Sequence, residues 1–311
     1  MTNARSDEDR PNGGGAPRPR VSAVVVSWNR REDLMRCLRS LRKAGGAGLE
    51  IIVVDNGSTD GTREALARDR SLRTVFCEEN VGPAEARNRG ASRARGEYVL
   101  FLDSDAVISA RALRALVARM DEAPDVGVVG CRIVSGYSRR LDQWIYTQPA
   151  STHERAEFET YSFSAAGALV RADALREAGP FWGDLFIYNE EVEFSIRVLR
   201  AGYRILYCPE ARVLHFPSES GRMQSKMYWY FQIRNWIWIC YRHYPAFWRS
   251  RTIAVYAAAY ACKSVQAGAL RPCLGGILDG VRRRGLIEEY PDKLADSELQ
   301  RFRGLKRRNL V

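Results

Sequence analysis

The sequence has no C-x-x-C pair, and its seven cysteines (Cys37, Cys77, Cys131, Cys208, Cys240, Cys262 and Cys273) are scattered and odd in number. That excludes a disulfide framework and a thiolate zinc cluster, and fits a reduced chain in the cytoplasm. No eighteen uncharged apolar residues run together, so no segment is expected to span a bilayer. The first twenty residues lack the apolar core of a signal peptide; polar and rich in Gly and Pro, residues 1–20 read as a disordered leader. No internal repeat is found. Acidic residues are scarce in the last third: residues 200–311 hold 20 Lys and Arg against 8 Asp and Glu, whereas residues 1–199 hold 28 against 29. The net charge of +11 therefore belongs to the C-terminal third, and nucleic acid, anionic lipid and anionic substrate stay open as partners.

What is present alternates between two patterns. "VSAVVVSW" from Val21 is a β-branched run suited to a buried parallel strand, and the helix after it places Leu34, Leu38 and Leu41 on one face and ends at Gly45. "LEIIVVDNGSTDGT" repeats the plan, with the next helix starting near Thr62. "LRTVFCEEN", "EYVLFL" and "VGVVGCRIV" are further strands, and "ARALRALVARM" is a helix with Leu113, Leu116, Val117 and Met120 at helical spacing. Strands alternating with helices predict an α/β fold with a mixed, mostly parallel sheet covered on both faces. Beyond Tyr161 the plan changes. A strand ("YSFSAAGALVR"), a short helix and an amphipathic helix ("NEEVEFSIRVLRAG") precede two short strands, "YRILYCP" and "ARVLHFP". Residues 219–311 read as a basic, aromatic-rich helical extension.

Two of the buried runs end in acid: the second strand at Asp55, and "YVLFLDSDAVIS" at Asp103 and Asp105 with only Ser104 between. Carboxylates so close raise one another's pKa unless positive charge lies between them, so the pair implies either a bound cation or a solvated turn. In parallel sheets, ligands collect at the carboxyl ends of strands, where these acids fall.

The segments "VVVSWNRREDLMRCLRSL", "IIVVDNGSTDGT", "NVGPAEARNRGASRARGEYVLFLDSDAVI" and "GALVRADALREAGPFWGDLFIYNEEVEFSIRVLRAGYRILYCPEARVLHF" occur in order with ordinary loop spacing. Together they resemble the inverting family 2 glycosyltransferases of the nucleotide-diphosphosugar-binding (GT-A) fold, and within them a bacterial rhamnosyltransferase-like branch. The resemblance spans residues 21–218. It implies transfer of a sugar from a UDP-, dTDP- or GDP-linked donor, dTDP-rhamnose among them, to a hydroxyl of a glycan, lipid-linked or small-molecule acceptor. Mn²⁺ or Mg²⁺ would serve as cofactor, since either cation stabilises the charge growing on a diphosphate leaving group.

By that resemblance Asp105 contacts the metal, Asp103 approaches the metal, ribose and diphosphate, and Asp55 recognises the base. His215, in "PEARVLHF", adds a metal or diphosphate contact. Ser27, Trp28, Asn80, Arg87 and Ser104 belong with the nucleotide sugar; for Arg87 a solvated helix position stays open. The catalytic base falls on Glu191, where relatives carry Asp one methylene shorter, with Glu190 as the fallback. Relatives often have two acids where Trp182 and Gly183 stand, and Asp184 is a partial substitute. The small residues Gly82, Ala84, Ala86 and Gly90 are expected to let a helix approach the sheet closely.

Two readings of the tail stand side by side. Trp229, Trp236, Trp238 and Trp248 with interleaved basic residues suit a helix lying at the inner face of an anionic membrane. They equally suit a helical subdomain that packs its aromatics against the sheet. No nucleic-acid motif accompanies the charge, so nucleic acid is not an expected partner; the sequence leaves the oligomeric state open. A nucleotidyltransferase, or a decayed transferase that binds carbohydrate or membrane, would share the strand-end acids. The former would more often carry a glycine-rich loop after the first strand, and "VSWNRRED" has no glycine.

Overall fold

The computed structural model describes residues 19–45, 48–146, 148–217 and 225–306. Most of the expected leader over 1–20 lies outside the described residues. The chain runs β1 (Val21–Ser27), α1 (Arg31–Gly45), β2 (Leu49–Asn56), α2 (Thr62–Ala67), β3 (Arg73–Cys77), α3 (Gly82–Ala91) and β4 (Tyr98–Asp103). It continues through β5 (Ala106–Ile108), α4 (Ala110–Glu122), β6 (Val126–Ser135), α5 (Ala150–His153), β7 (Phe158–Glu159), β8 (Gly167–Arg171), α6 (Ala172–Ala178), α7 (Glu190–Arg200) and β9 (Arg204–His215). Four helices follow: α8 (Met227–His243), α9 (Ala246–Gln266), α10 (Leu270–Arg282) and α11 (Asp296–Lys306).

The strands form one sheet in the order β3-β2-β1-β4-β8-β6-β9-β5, with β7 also on β9. β1 to β4 are mutually parallel where they pair, as the βαβ pattern requires. β8 runs antiparallel between β4 and β6, and β9 is parallel to β6. Strand alternation sorts the side chains onto two faces. Val21, Ala23, Val25, Leu100 and Leu102 join the core beneath α1 and α4. Val24, Val99 and Phe101 join the opposite core with Ala84 of α3 and Phe194 of α7. On that second face a Cβ at Gly90 would stand 2.4 Å from Val24 Cγ1, so the small residues of α3 do buy close approach.

Register positions the functional edge. Ser27 lies opposite Asp55, and Val26 opposite Asp103, so the carboxyl ends of β1, β2 and β4 form one row. Just beyond it, the short β5 pairs Ala106 with His215 at the end of β9, which carries the histidine to Asp105 across more than a hundred residues. The two strands expected between 203 and 217 prove to be one, β9. Its register on β6 passes from Cys131–Cys208 directly to Arg132–Arg212, and the three residues between bulge out, Pro209 among them. Proline cannot donate to a ladder, so the pattern broke in sequence where the strand only kinks.

The C-terminal helices pack on the body through a third core that joins Leu185 and Ile196 to Ile233, Trp236, Trp238 and Cys273. Trp236 and Trp238 are buried, and Trp229 and Trp248 are partly covered by the same core. Of the four tryptophans, Trp236 and Trp238 thus face inward, as the packing reading expects, while Trp229 and Trp248 stay partly exposed. A buried ion cluster locks the joint, with the fully buried Glu193 of α7 2.7 Å from Arg197 Nη2 and 2.9 Å from His243 Nε2 of α8. Burial alone would raise the Glu193 carboxyl, but Arg197 and His243 outweigh it and hold it at about 2. Among the described residues no helix is long and apolar enough to cross a membrane.

Candidate active site at the carboxyl ends of the strands

The row of strand ends borders a cavity of about 690 Å³. Of the residues singled out by sequence, Trp28, Asn80, Arg87, Asp103, Ser104, Glu190 and Glu191 line it. Ser27, Asp55, Asp105 and His215 do not, although chain neighbours of the first three (Val26, Trp28, Asn56 and Ser104) do. Asp184 is not a lining residue either; it accepts a hydrogen bond from Trp182 Nε1 at 3.1 Å.

At the ends of the first two strands Ser27 and Asp55 are buried, each with a side-chain oxygen left unpaired. Asp55 is fully buried; its Oδ1 accepts from the Ser58 N–H at 3.3 Å, while its Oδ2 has no partner, and neither has the Oγ of Ser27 beside it. Burial raises the Asp55 carboxyl above its ordinary range, against the opposing hydrogen bonds from Ser58. An unpaired buried oxygen is costly, on the order of 1–3 kcal/mol, unless a ligand completes it. Next to it, Asn56 donates to Asn80 Oδ1 at 2.9 Å and accepts from the Val81 N–H at 3.0 Å, fastening the loop before α3 to the end of β2.

At β4 the acids meet cations. Asp103, Asp105 and His215 each place one ligand-type atom within 4.8 Å of the others. His215 Nε2 lies 3.2 Å from Asp105 Oδ1, and Nδ1 lies 2.5 Å from Asp142 Oδ2. Arg30 Nη1 contacts the other Asp105 oxygen at 2.5 Å. Burial pushes Asp105 up, yet His215 and Arg30 hold it below the ordinary carboxylate value. For His215 burial favours the neutral ring, but Asp105 and Asp142 outweigh it and raise the imidazole to about 9. Two carboxylates and an imidazole are a donor set that fits Mn²⁺, and Mg²⁺ through the oxygens. Binding there would release the His215 proton. Asp142 would then fix the ring from the far nitrogen.

Arg87 links the two halves of the site. Its guanidinium donates from Nη1 to Glu190 Oε1 at 2.8 Å and from Nη2 to Asp103 Oδ1 at 3.4 Å. The solvated position left open for Arg87 is thus overturned: it is only 7% exposed. Burial alone would lower its pKa, but Glu191, Glu190 and Asp103 more than reverse that. Glu190 Oε2 is another buried oxygen without a partner.

Glu191 stands at the first turn of α7 on the cavity wall and accepts from the Ala165 N–H at 3.3 Å. Burial first, then the charge of Glu190, push its carboxyl up to about 8, against the pull of Arg87. A carboxyl poised near the working pH is what proton abstraction needs. The approach to α7 is wound tightly: Phe186, Tyr188 and Asn189 all have positive φ, at 62°, 69° and 65°. Such backbone costs about 1–3 kcal/mol per residue and persists only where neighbours impose it. Here α8 imposes it: Asn235 Nδ2 lies 2.7–3.0 Å from the carbonyls of Leu185, Ile187 and Tyr188, and Arg234 Nη2 donates to those of Asp184 and Leu185.

Sequence reasoning missed Arg30, Asp142 and the far wall. That wall comes from the tail, with Tyr228, Gln232 and Trp236 of α8 and Tyr256 and Tyr260 of α9. Gln232 Oε1 accepts from Asn189 Nδ2 and Tyr260 Oη, each at 3.0 Å. The signal available was the aromatic periodicity of the tail, which gives no direction.

Comparison with known proteins bears on this geometry. Residues 22–179, about half of the chain, match the family model for glycosyl transferase family 2. The succinoglycan biosynthesis protein ExoO of Rhizobium meliloti (strain 1021) is 28% identical over 188 residues, which is 59% of this chain and 53% of that protein. The chain therefore spans about half the length of curated relatives such as this one. Among solved structures, residues 1–349 of TarS from S. aureus in complex with UDP-GlcNAc align with a TM-score of 0.59 and 19% identity, over 92% of this chain and 88% of that one. A mannosyltransferase from Pyrobaculum calidifontis, PcManGT, in complex with GDP-Man and Mn²⁺, aligns with a TM-score of 0.54 and 20% identity, over 94% and 85%. These likenesses give the fold, a GT-A arrangement with a helical C-terminal region, as expected from the sequence. The family match adds the identity of that fold: the chain belongs to glycosyl transferase family 2.

Proposed function

We propose that the protein transfers a sugar, with inversion, from a UDP-, dTDP- or GDP-linked donor to an acceptor hydroxyl. The observation that carries this reading is the gathering of Asp103, Asp105 and His215 into one cluster at the rim of a cavity that Asp103 and Glu191 line. Asp55 Oδ2 suits a nucleobase N–H donor. Asp103, Asp105 and His215 would hold a divalent cation, which when bound supplies charge neutralisation for the departing diphosphate. That neighbours of the same fold were crystallised with UDP-GlcNAc, and with GDP-Man and Mn²⁺, supports this assignment. Glu191 takes the acceptor's proton, the acceptor oxygen bonds to the anomeric carbon, and the bond from that carbon to the diphosphate breaks. Arg87 stays paired with Glu190 and Asp103, which orients both acids.

The acceptor would enter opposite Asp103, against the tail wall. Its polar groups, Gln232, Tyr260 and Tyr228, and the adjoining Asn189 are uncharged, which suits a neutral sugar or similarly hydroxylated group of a glycan, lipid-linked or small-molecule acceptor. The test is a panel of nucleotide sugars with Mn²⁺ or Mg²⁺. One of them should release nucleoside diphosphate without acceptor, and Gln232→Ala should preserve that release while raising the acceptor KM about 10-fold, the scale of one lost hydrogen bond. Formation of nucleoside triphosphate and sugar 1-phosphate when pyrophosphate is added to the nucleotide sugar would instead indicate nucleotidyl transfer, and no release at all would indicate a decayed site.

A further inference from the structure

Seven of the ten exposed large apolar side chains among the described residues lie on α9 and α10. On α10, Leu270, Leu274, Leu278 and Val281 recur at helical spacing and are 38–50% exposed, beside a buried face of Cys273, Gly276 and Gly280 that packs on α8. The helix is therefore apolar well beyond what its own core uses. On α9, Phe247, Val255 and Val265 are 59–69% exposed, and the intervening Ala254, Ala258 and Cys262 are exposed on the same side. Angular positions on α10 set Arg271 and Arg282 along the outer rim of the leucine stripe.

Charge decides the occupant. Residues 246–284 hold seven basic side chains and one acid, Asp279, which accepts from Tyr230 Oη at 2.6 Å. A second copy of the chain meeting this face through a two-fold axis would set arginines against arginines. An anionic bilayer surface answers both features, taking the leucines into its acyl boundary and the arginines at its headgroups. We propose that the α9–α10 hairpin docks the protein flat on an anionic lipid surface. The inward tryptophans have no part in this. The inference goes beyond the transferase reading and stands without it.

The test is flotation of the full chain with vesicles of phosphatidylcholine alone or mixed with phosphatidylglycerol. Wild-type protein should float with the anionic vesicles. Leu274→Ser with Leu278→Ser should weaken that binding at least about 10-fold. Arg271→Ala with Arg282→Ala should weaken it roughly 30-fold at low salt, and less as salt rises. All four positions are exposed and none of them lines the cavity, so donor hydrolysis and the melting temperature should not change. Failure of wild type to float, or equal flotation by the variants, would overturn the proposal. So would a concentration-dependent dimer in sedimentation that the leucine changes abolish, because the face would then belong to a second copy.

Discussion

Replacing Asp105 by Asn is expected to lower sugar transfer at least about a thousandfold while leaving the protein folded. The substitution keeps the shape of the side chain and removes the charge that Arg30 and His215 face. With Asp105 neutral, the cluster has one carboxylate left, Asp103, and Arg87 already shares that one with Glu190. The diphosphate, which gains negative charge as it departs, would then lack the dication and face only the single charges of Arg30 and His215. The loss should fall mainly on kcat, because charge on the leaving group grows toward the transition state. Steady-state kinetics with far-ultraviolet circular dichroism as the fold control checks this. Wild-type thermal stability should also rise when Mn²⁺ and nucleoside diphosphate are added together, and the variant should not show that gain.

Glu191→Gln is expected to reduce kcat by about 10² to 10⁴ with little change in donor affinity. Gln keeps the contact with the Ala165 N–H and cannot accept the acceptor's proton. The carboxyl is raised by burial and by Glu190, so the base is ionised only toward the upper end of the physiological range. Turnover of the wild type should therefore climb as pH rises through the region of that pKa and flatten above it. The variant's residual rate should lack this limb. Stability should move the other way. A carboxyl raised above its unfolded value destabilises the fold as it ionises, so stability drains with rising pH in the wild type. At pH 9 the Gln variant should be more stable by about 1 kcal/mol, the usual scale for relieving a functional site. A chemical denaturation series at pH 6 and pH 9 reads this directly.

The parts of the site legible in sequence were those fixed by local pattern. A β-branched run that ends in Asp announces a buried strand with a charge at its tip, and Asp55 and Asp103 lie at the ends of β2 and β4. Glu191 was reached only through the family resemblance, since an acid in the first turn of an amphipathic helix equally suits the helix dipole. Arg30 reaches Asp105 only because β1 and β4 are neighbours, and Asp142 reaches His215 from a loop that has no periodicity of its own. Neither pairing leaves a local trace. The tail was the hardest case: Trp236 and Trp238 of α8 and the leucines of α10 carry similar hydrophobicity, and only packing shows that the first face inward and the second outward. The proline in β9 misled for a related reason, since a breaker in sequence was absorbed by a bulge.

The account stands on a dication held between Asp105, Asp103 and His215 and the donor's diphosphate. Calorimetric titration of the protein with the nucleoside diphosphate, in Mn²⁺ and again in chelator, tests that link most directly. The expected result is one-to-one binding in Mn²⁺ that weakens at least about 100-fold in chelator, and that Asp105→Asn abolishes even with the cation present. Equal affinity in chelator and in Mn²⁺ would contradict it.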